Sequence, residues 1–264
     1  MSAKRAIAAL YYALQFTETS GLEELLRTML RVGCNDISQE IGHYFSCTDS
    51  VIRLARATGM PRAKNHIFRL TTDLMQSSPI VLEPTLKPIL KLDEILRELV
   101  KKGGFVGYHF MIVANGLINN REFVGENHYL HALHSLETLL PSLRDTLTTE
   151  KIDGITRSMQ KSTNPLKDLK EHIWDGNKVK AFAMLRQHLK GEGANEELKA
   201  AVAHAYTRIN DYPHDPHYVT FPTSAFELIP HLKSDEVELV LVHCVEFAVD
   251  RVQQHGVKSQ LKYS

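Results

Sequence analysis

His43-Tyr-Phe-Ser-Cys-Thr-Asp-Ser50-Val51-Ile-Arg-Leu54, Asn127-His128-Tyr-Leu-His131-Ala-Leu-His-Ser135-Leu136-Glu-Thr-Leu139 and Asp215-Pro-His217-Tyr-Val-Thr-Phe-Pro-Thr-Ser224-Ala225-Phe-Glu-Leu228 are three versions of one phrase. Each opens on a His-Tyr pair, places a Ser seven residues after the His, follows it with an apolar residue, and has a Leu three further on. The three His lie 85 and 89 residues apart. Self-similarity at that period is the signature of an internal repeat, and it predicts three divergent copies of a unit of about 87 residues. The expected repeats are 1–78, 79–163 and 164–264, packed as a single helical domain with one continuous core, because an amphipathic helix cannot bury its face alone.

The flanks follow the same register. A helical stretch ending near Asn35-Asp36 precedes His43, one ending at Asn210-Asp211 precedes His217, and Asn119-Asn120 stands at the matching place in the second copy. Downstream, His66 and His243 follow the His of their own copies inside apolar-periodic segments, whereas the second copy has Lys151 near that position. Ser77-Ser78-Pro79 to Pro84, and the stretch opening with Ser162-Thr163-Asn164-Pro165, read as joints.

Apolar residues at three- and four-residue spacing predict four helices per unit and an all-α fold. They are Ala3 to Leu14, Leu22 to Val32, Gly42 to Ala57 and Pro61 to Met75; then Leu86 to Val100, Gly104 to Ile118, Asn127 to Leu140 and Thr148 to Met159; then Lys178 to Leu189, Glu196 to Ile209, Pro216 to His231 and Asp235 to Val252. Few segments alternate with period two, so no sheet is expected.

Composition narrows the function classes. The chain has 264 residues, 43% of them hydrophobic, which suffices for a sizeable core. Lys+Arg and Asp+Glu are equal at 31 each, so no net field draws the protein to nucleic acid or an anionic membrane, and neither partner is expected. The longest apolar run, Val237 to Val249, is broken by Glu238, His243 and Glu246 and is too short to span a bilayer. Cys34, Cys47 and Cys244 are odd in number and lack zinc-like spacing, which points to buried small hydrophobes in a reducing compartment. The start, Met1 to Tyr12, is basic and then apolar without an Ala-x-Ala site, so it reads as structure rather than a targeting segment. A cytoplasmic location is the expectation.

The chemistry is expected at the histidines. Asp215-Pro216-His217 has a favoured N-cap followed by a favoured first helical residue, which puts His217 in the opening turn. Counting by three and four from each His reaches Cys47, Ser50/Val51 and Leu54; Ala132, Ser135/Leu136 and Leu139; and Phe221, Ser224/Ala225 and Leu228. The His therefore faces the buried side, where desolvation and the positive end of the helix dipole favour neutral imidazole. That form acts as a base or metal ligand near neutral pH.

His43, His128 and His217 are the candidate catalytic residues of a His-lined internal pocket for a small-molecule ligand. His131, His214, His66 and His243, with Tyr44, Tyr129 and Tyr218, are the candidate second layer or substrate-binding groups. Ser50, Ser135 and Ser224 would leave room below. His128, His131 and His217 form the candidate metal set; iron, zinc or haem are the groups such ligands would hold, and the sequence does not name a cofactor. Against this stands a plain packing role, each ring capping the loop before it. Glu40-x-x-His43 matches half of a di-iron element, but Gly125 and His214 stand at the equivalent positions, so the carboxylates run short. No GxGxxG, P-loop, HExxH or GxSxG element is present.

Asn127-His128-Tyr-Leu-His131-Ala132-Leu133 resembles the His-led helix start of the questin oxidase-like family, and Gly42-His43-Tyr-Phe-Ser and Pro216-His217-Tyr-Val-Thr are similar to its other His-led helices. The resemblance covers the third helix of each unit. It implies an all-helical oxidoreductase, oxygenase-like, acting on a small, largely apolar oxygenated or quinone-type molecule by Baeyer-Villiger chemistry. Asn127, His128 and His131 would carry the family motif, with His43 and His217 as analogues. The first and third copies lack its full Asn-His-x-x-His form. Two other readings stay open: a non-enzymatic helical scaffold presenting a groove to a protein partner, and a metal or haem carrier without turnover.

Overall fold

In the computed structural model, residues 3–35, 37–74, 85–145, 149–157, 161–190, 195–212 and 214–258 are described. Among them the fold is helical: α1 (Ala3–Asn35), α2 (His43–Thr58), α3 (Met60–Leu74), α4 (Leu92–Val100), α5 (Gly104–Val124), α6 (Glu126–Leu139), α7 (Thr149–Thr156), α8 (Pro165–Trp174), α9 (Lys178–Lys190), α10 (Asn195–Thr207), α11 (His217–Leu228) and α12 (Ser234–His255). Two isolated antiparallel bridges, Lys102 with Asp145 and Ile209 with Val257, are the nearest approach to β-structure among these residues. None of the described helices is long and apolar enough to cross a membrane.

The chain divides into two compact units, Met1–Ile95 with Ile112–Leu143, and Leu96–Met111 with Arg144–Ser264. The chain passes between the units three times, at 95/96, 111/112 and 143/144. In the first unit, α1 packs on α2, α3 and α6, and α2 on α3. Leu26, Leu30, Phe45, Ile52 and Ile67 are buried there. α1 and α2 meet at Gly33, where a Cβ would stand 2.7 Å from the Phe45 Cα, so only glycine allows that approach.

In the second unit α8 packs on α9, and α12 on α8, α9, α10 and α11. α12 is buried almost all round from Leu239 to Val249, as a central helix must be. The polar residues that interrupt its apolar run all have partners. Glu238 pairs with the buried Arg186 of α9, the His243 Nε2 lies 2.8 Å from the Val100 carbonyl, and Glu246 meets the Lys178 Nζ at 3.0 Å and the Tyr108 hydroxyl at 3.2 Å.

The departures from the expected helices have local causes. α1 runs through both first segments but breaks at Gly21, whose φ is 83°. The segment before Leu92 is not helical, because Pro88 restrains Lys87 and the Glu137 carboxylate accepts the Ile89 and Leu90 amides at 2.9 and 2.8 Å. α5 continues past Ile118 because the Asn120 side chain donates to the Gly116 carbonyl at 2.9 Å, repairing the ladder where its own backbone leaves helical values. α8 was not expected, since Asn164-Pro165 read as a joint. Asn164 in fact caps it, accepting from the Lys167 amide at 3.2 Å, with Pro165 in the first turn. Cys34 and Cys244 are buried, but Cys47 is exposed on α2. The joint at 77–84 and the ends at Met75 and Met159 lie outside the described residues.

All three His-Tyr pairs stand in a first helical turn, of α2, α6 and α11. α6 and α11 each run into a short 3-10 turn with proline at its second residue, Leu140-Pro141-Ser142 and Ile229-Pro230-His231, 13 residues after the His in both.

Candidate functional site

In the first unit, His43 opens α2 behind an unusual approach. Glu40 and Ile41 have φ of 46° and 50°, and Gly42 follows at 83°. Left-handed backbone at a β-branched residue is costly, and it sets the direction in which α2 starts. A Cβ on Gly42 would meet the Val113 Cγ2 at 2.5 Å. His43 and Tyr44 are half-buried, as is His128 on α6. Tyr129 is buried beneath the Arg121 guanidinium, 4.8 Å from its ring centre, and burial raises its hydroxyl pKa. His131 is buried, and desolvation, with the neighbouring His134 second, lowers its pKa. His66 is exposed on α3, so it forms no buried second layer.

The second unit separates its three expected histidines. His214 is exposed in the turn before α11. His243 is wholly buried, and its bond to the Val100 carbonyl makes it a packing group; desolvation lowers its pKa. Only His217 enters a polar constellation, and its partner is His109 of α5. The two Nε2 atoms are 2.8 Å apart. His128 and His131 belong to the first unit and His217 to the second.

The local sequence builds this pair. Asp215 accepts the His217 backbone amide on Oδ1 at 2.9 Å in a turn just before the helix; the N-cap is Pro216 rather than the expected Asp215, and the helix begins at His217. The same Oδ1 lies 2.5 Å from the His217 Nδ1. The Arg251 guanidinium of α12 donates to the other carboxylate oxygen at 2.6 Å. Burial would raise the Asp215 carboxyl pKa, but the His217 amide and ring bonds, with the charges of His217 and Arg251, outweigh it and hold it below the usual carboxylate value. On the other side, the His109 Nδ1 is 2.7 Å from the Phe105 carbonyl one turn earlier, and His109 is 2% exposed.

These contacts fix both tautomers. A carbonyl only accepts, and an ionised carboxylate only accepts, so each Nδ1 carries a hydrogen. In a neutral ring the Nε2 is then a lone pair, and the two lone pairs face each other at 2.8 Å. That arrangement calls for a positive particle between them: a shared proton or a metal ion. Metal–imidazole bonds of about 2.0–2.1 Å place two nitrogens about 2.9 Å apart at a right angle and about 3.3 Å apart at the tetrahedral angle. The observed spacing suits a shared proton directly, and needs an opening of about 0.1 Å for cis ligands of an octahedral ion or about 0.5 Å for a tetrahedral one.

One aromatic ring packs on both histidines, and others surround Arg251. Phe105 packs edge-on against His109 and His217, with centres 4.3 and 5.1 Å away. Arg251 lies over Phe247 at 5.0 Å and within 6.0 Å of the Tyr218 ring. Tyr218 is buried, and burial pushes its hydroxyl pKa up to about 12, so it packs as a neutral phenol.

Asp215 was legible as a polar residue at the start of the His217 helix, though as a turn acceptor rather than the N-cap. His109 and Arg251 carried no motif, because their meeting with His217 is made by α5 and α12 rather than by spacing along the chain. Comparison with protein-family models, with curated proteins and with solved structures finds no match.

Proposed function

We propose that His109 and His217 form a cation-binding centre, and that the chain is an oxidoreductase acting on a small, largely apolar oxygenated molecule beside it. The observation that carries the first part is the pair of facing Nε2 atoms, each on a ring whose Nδ1 is committed as a donor. A carboxylate behind a ligating imidazole fixes its orientation and strengthens it as a ligand, which is the relation of Asp215 to His217. Imidazole donors suit iron, zinc or copper, and an iron ion held there would supply one-electron exchange. The chain's own groups do the rest: the Phe105 carbonyl and Asp215 hold the ring protons, Arg251 keeps Asp215 charged, and the Phe105 ring packs against both imidazoles.

The oxidation reaction is drawn from the family resemblance. The three-repeat reading belongs with it, and is supported by the His-Tyr first turns of α2, α6 and α11 and by the matching proline turns after α6 and α11. A second reading, in which the pair shares a proton and works as an acid–base couple, is favoured by the 2.8 Å spacing. Calorimetric titration of untagged protein with Zn²⁺, Mn²⁺ and anaerobic Fe²⁺ separates the two. The cation reading expects uptake of about one ion per chain, lost in His109→Ala and in His217→Ala and kept in His66→Ala. Equal uptake by all four proteins would remove it.

A further inference from the structure

Phe105 is shared between the His pair and a cavity of about 340 Å³ in the second unit, at the small end of the range for ligand sites. Phe105, Tyr108 and Phe247 give it aromatic walls, and Asp250, Arg251 and Gln254 its polar part. Tyr108 and Phe247 pack edge-to-face behind it, with centres 5.8 Å apart and planes at 87°, so this wall is fixed in place, and Phe105, which is exposed, is the ring left to stack on a ligand.

Arg251 spends one N–H on Asp215, and another on the Gln254 side-chain oxygen at 3.3 Å. A guanidinium has five, so donors remain for a ligand. Gln254 uses its oxygen on Arg251, which leaves its amide nitrogen as a further donor at the exposed end. Asp250 is the opposing group in the cavity, and the Lys178 Nζ meets it at 2.9 Å. The polar part therefore offers donors to a planar acceptor, the match a guanidinium makes with a carboxylate.

Charge decides when that match is favourable. The groups around the cavity and behind it are Lys178 and Arg251 against Asp215, Glu246 and Asp250, an excess of one negative charge. A divalent ion on the His pair reverses the sign. We propose that this cavity binds an aromatic carboxylate, and that a cation on His109 and His217 tightens its binding; the linkage rests on the cation reading above.

The test uses 2-naphthoate and its neutral counterpart 2-naphthylmethanol, each titrated into the full chain with and without zinc, with zinc uptake measured separately. Zinc is expected to tighten naphthoate by at least about tenfold, the factor that corresponds to 1.4 kcal/mol, and to leave naphthylmethanol unchanged. Gln254→Glu, at an exposed position, should weaken naphthoate alone. If zinc binds but naphthoate does not, or binds equally with and without the metal, the inference is overturned while the cation reading stands. If zinc does not bind, the cation reading and the linkage fall. Naphthoate binding weakened by Gln254→Glu would then support the cavity assignment, and its absence would overturn that as well.

Discussion

Asp215→Asn tests the hinge of the site with little change of shape. The carboxylate is 17% exposed at the side chain and accepts from the His217 amide, the His217 ring and the Arg251 guanidinium. The amide oxygen of Asn can keep the two His217 contacts, but as a neutral acceptor, while its NH₂ group is turned toward Arg251, donor against donor. Bonds to a charged acceptor exceed neutral ones by about 1 kcal/mol, and Arg251 is left without its counter-charge, so the loss is about 2–4 kcal/mol. Thermal unfolding followed by circular dichroism should then fall by about 5–10 °C. The same change frees the His217 ring, and zinc affinity measured by chelator competition should drop about 10–100-fold. Because the Asp215 carboxyl pKa is held below its usual value, its contribution to stability is complete above about pH 3.9 and is lost as pH falls through the folded value. The variant should lack that part of the acid transition. A variant that melts lower but binds zinc as tightly as the parent would refute the claim that Asp215 orients a ligand.

Other perturbations address the rest of the structure. His243 is buried with its pKa lowered, so the unfolded state takes up its proton first and stability declines as pH falls below about 6.5; His243→Gln should flatten the stability profile between about pH 7 and pH 5, and an unchanged profile would assign that slope elsewhere. Gly42→Ala forces a left-handed alanine and drives a methyl into Val113, with an expected loss of about 2–4 kcal/mol in denaturant unfolding; a neutral effect would mean that the turn before His43 can relax.

Much of the helical layout could be read from apolar periodicity, because most helices here bury one face. The misses are informative. Asn164-Pro165 is both a joint signal and an N-cap followed by a first-turn proline, and only the apolar Leu169 and Ile173 beyond it decide for a helix. Asn119-Asn120 looks like a helix end, yet the Asn120 side chain bonds to Gly116 and, at 2.6 Å, to the buried Asp49 carboxylate. Of the site, His217 and the Asp215 beside it could be read because their contact spans only two residues. His109 could not be ranked above the other histidines, since its partner lies 108 residues away in the chain. His66 and His214 carried the same residue type in plausible positions and are exposed, which repetition along a sequence does not reveal.

The most direct measurement is long-range ¹H–¹⁵N NMR of the imidazole rings, with zinc absent and then added. The account predicts that His109 and His217 keep a hydrogen on Nδ1 in both states, and that zinc moves their two Nε2 resonances together to metal-bound values while those of His66 and His214 stay in place. An Nε2-protonated tautomer on either ring that persists with zinc present, or a response to zinc confined to other histidines, would contradict it.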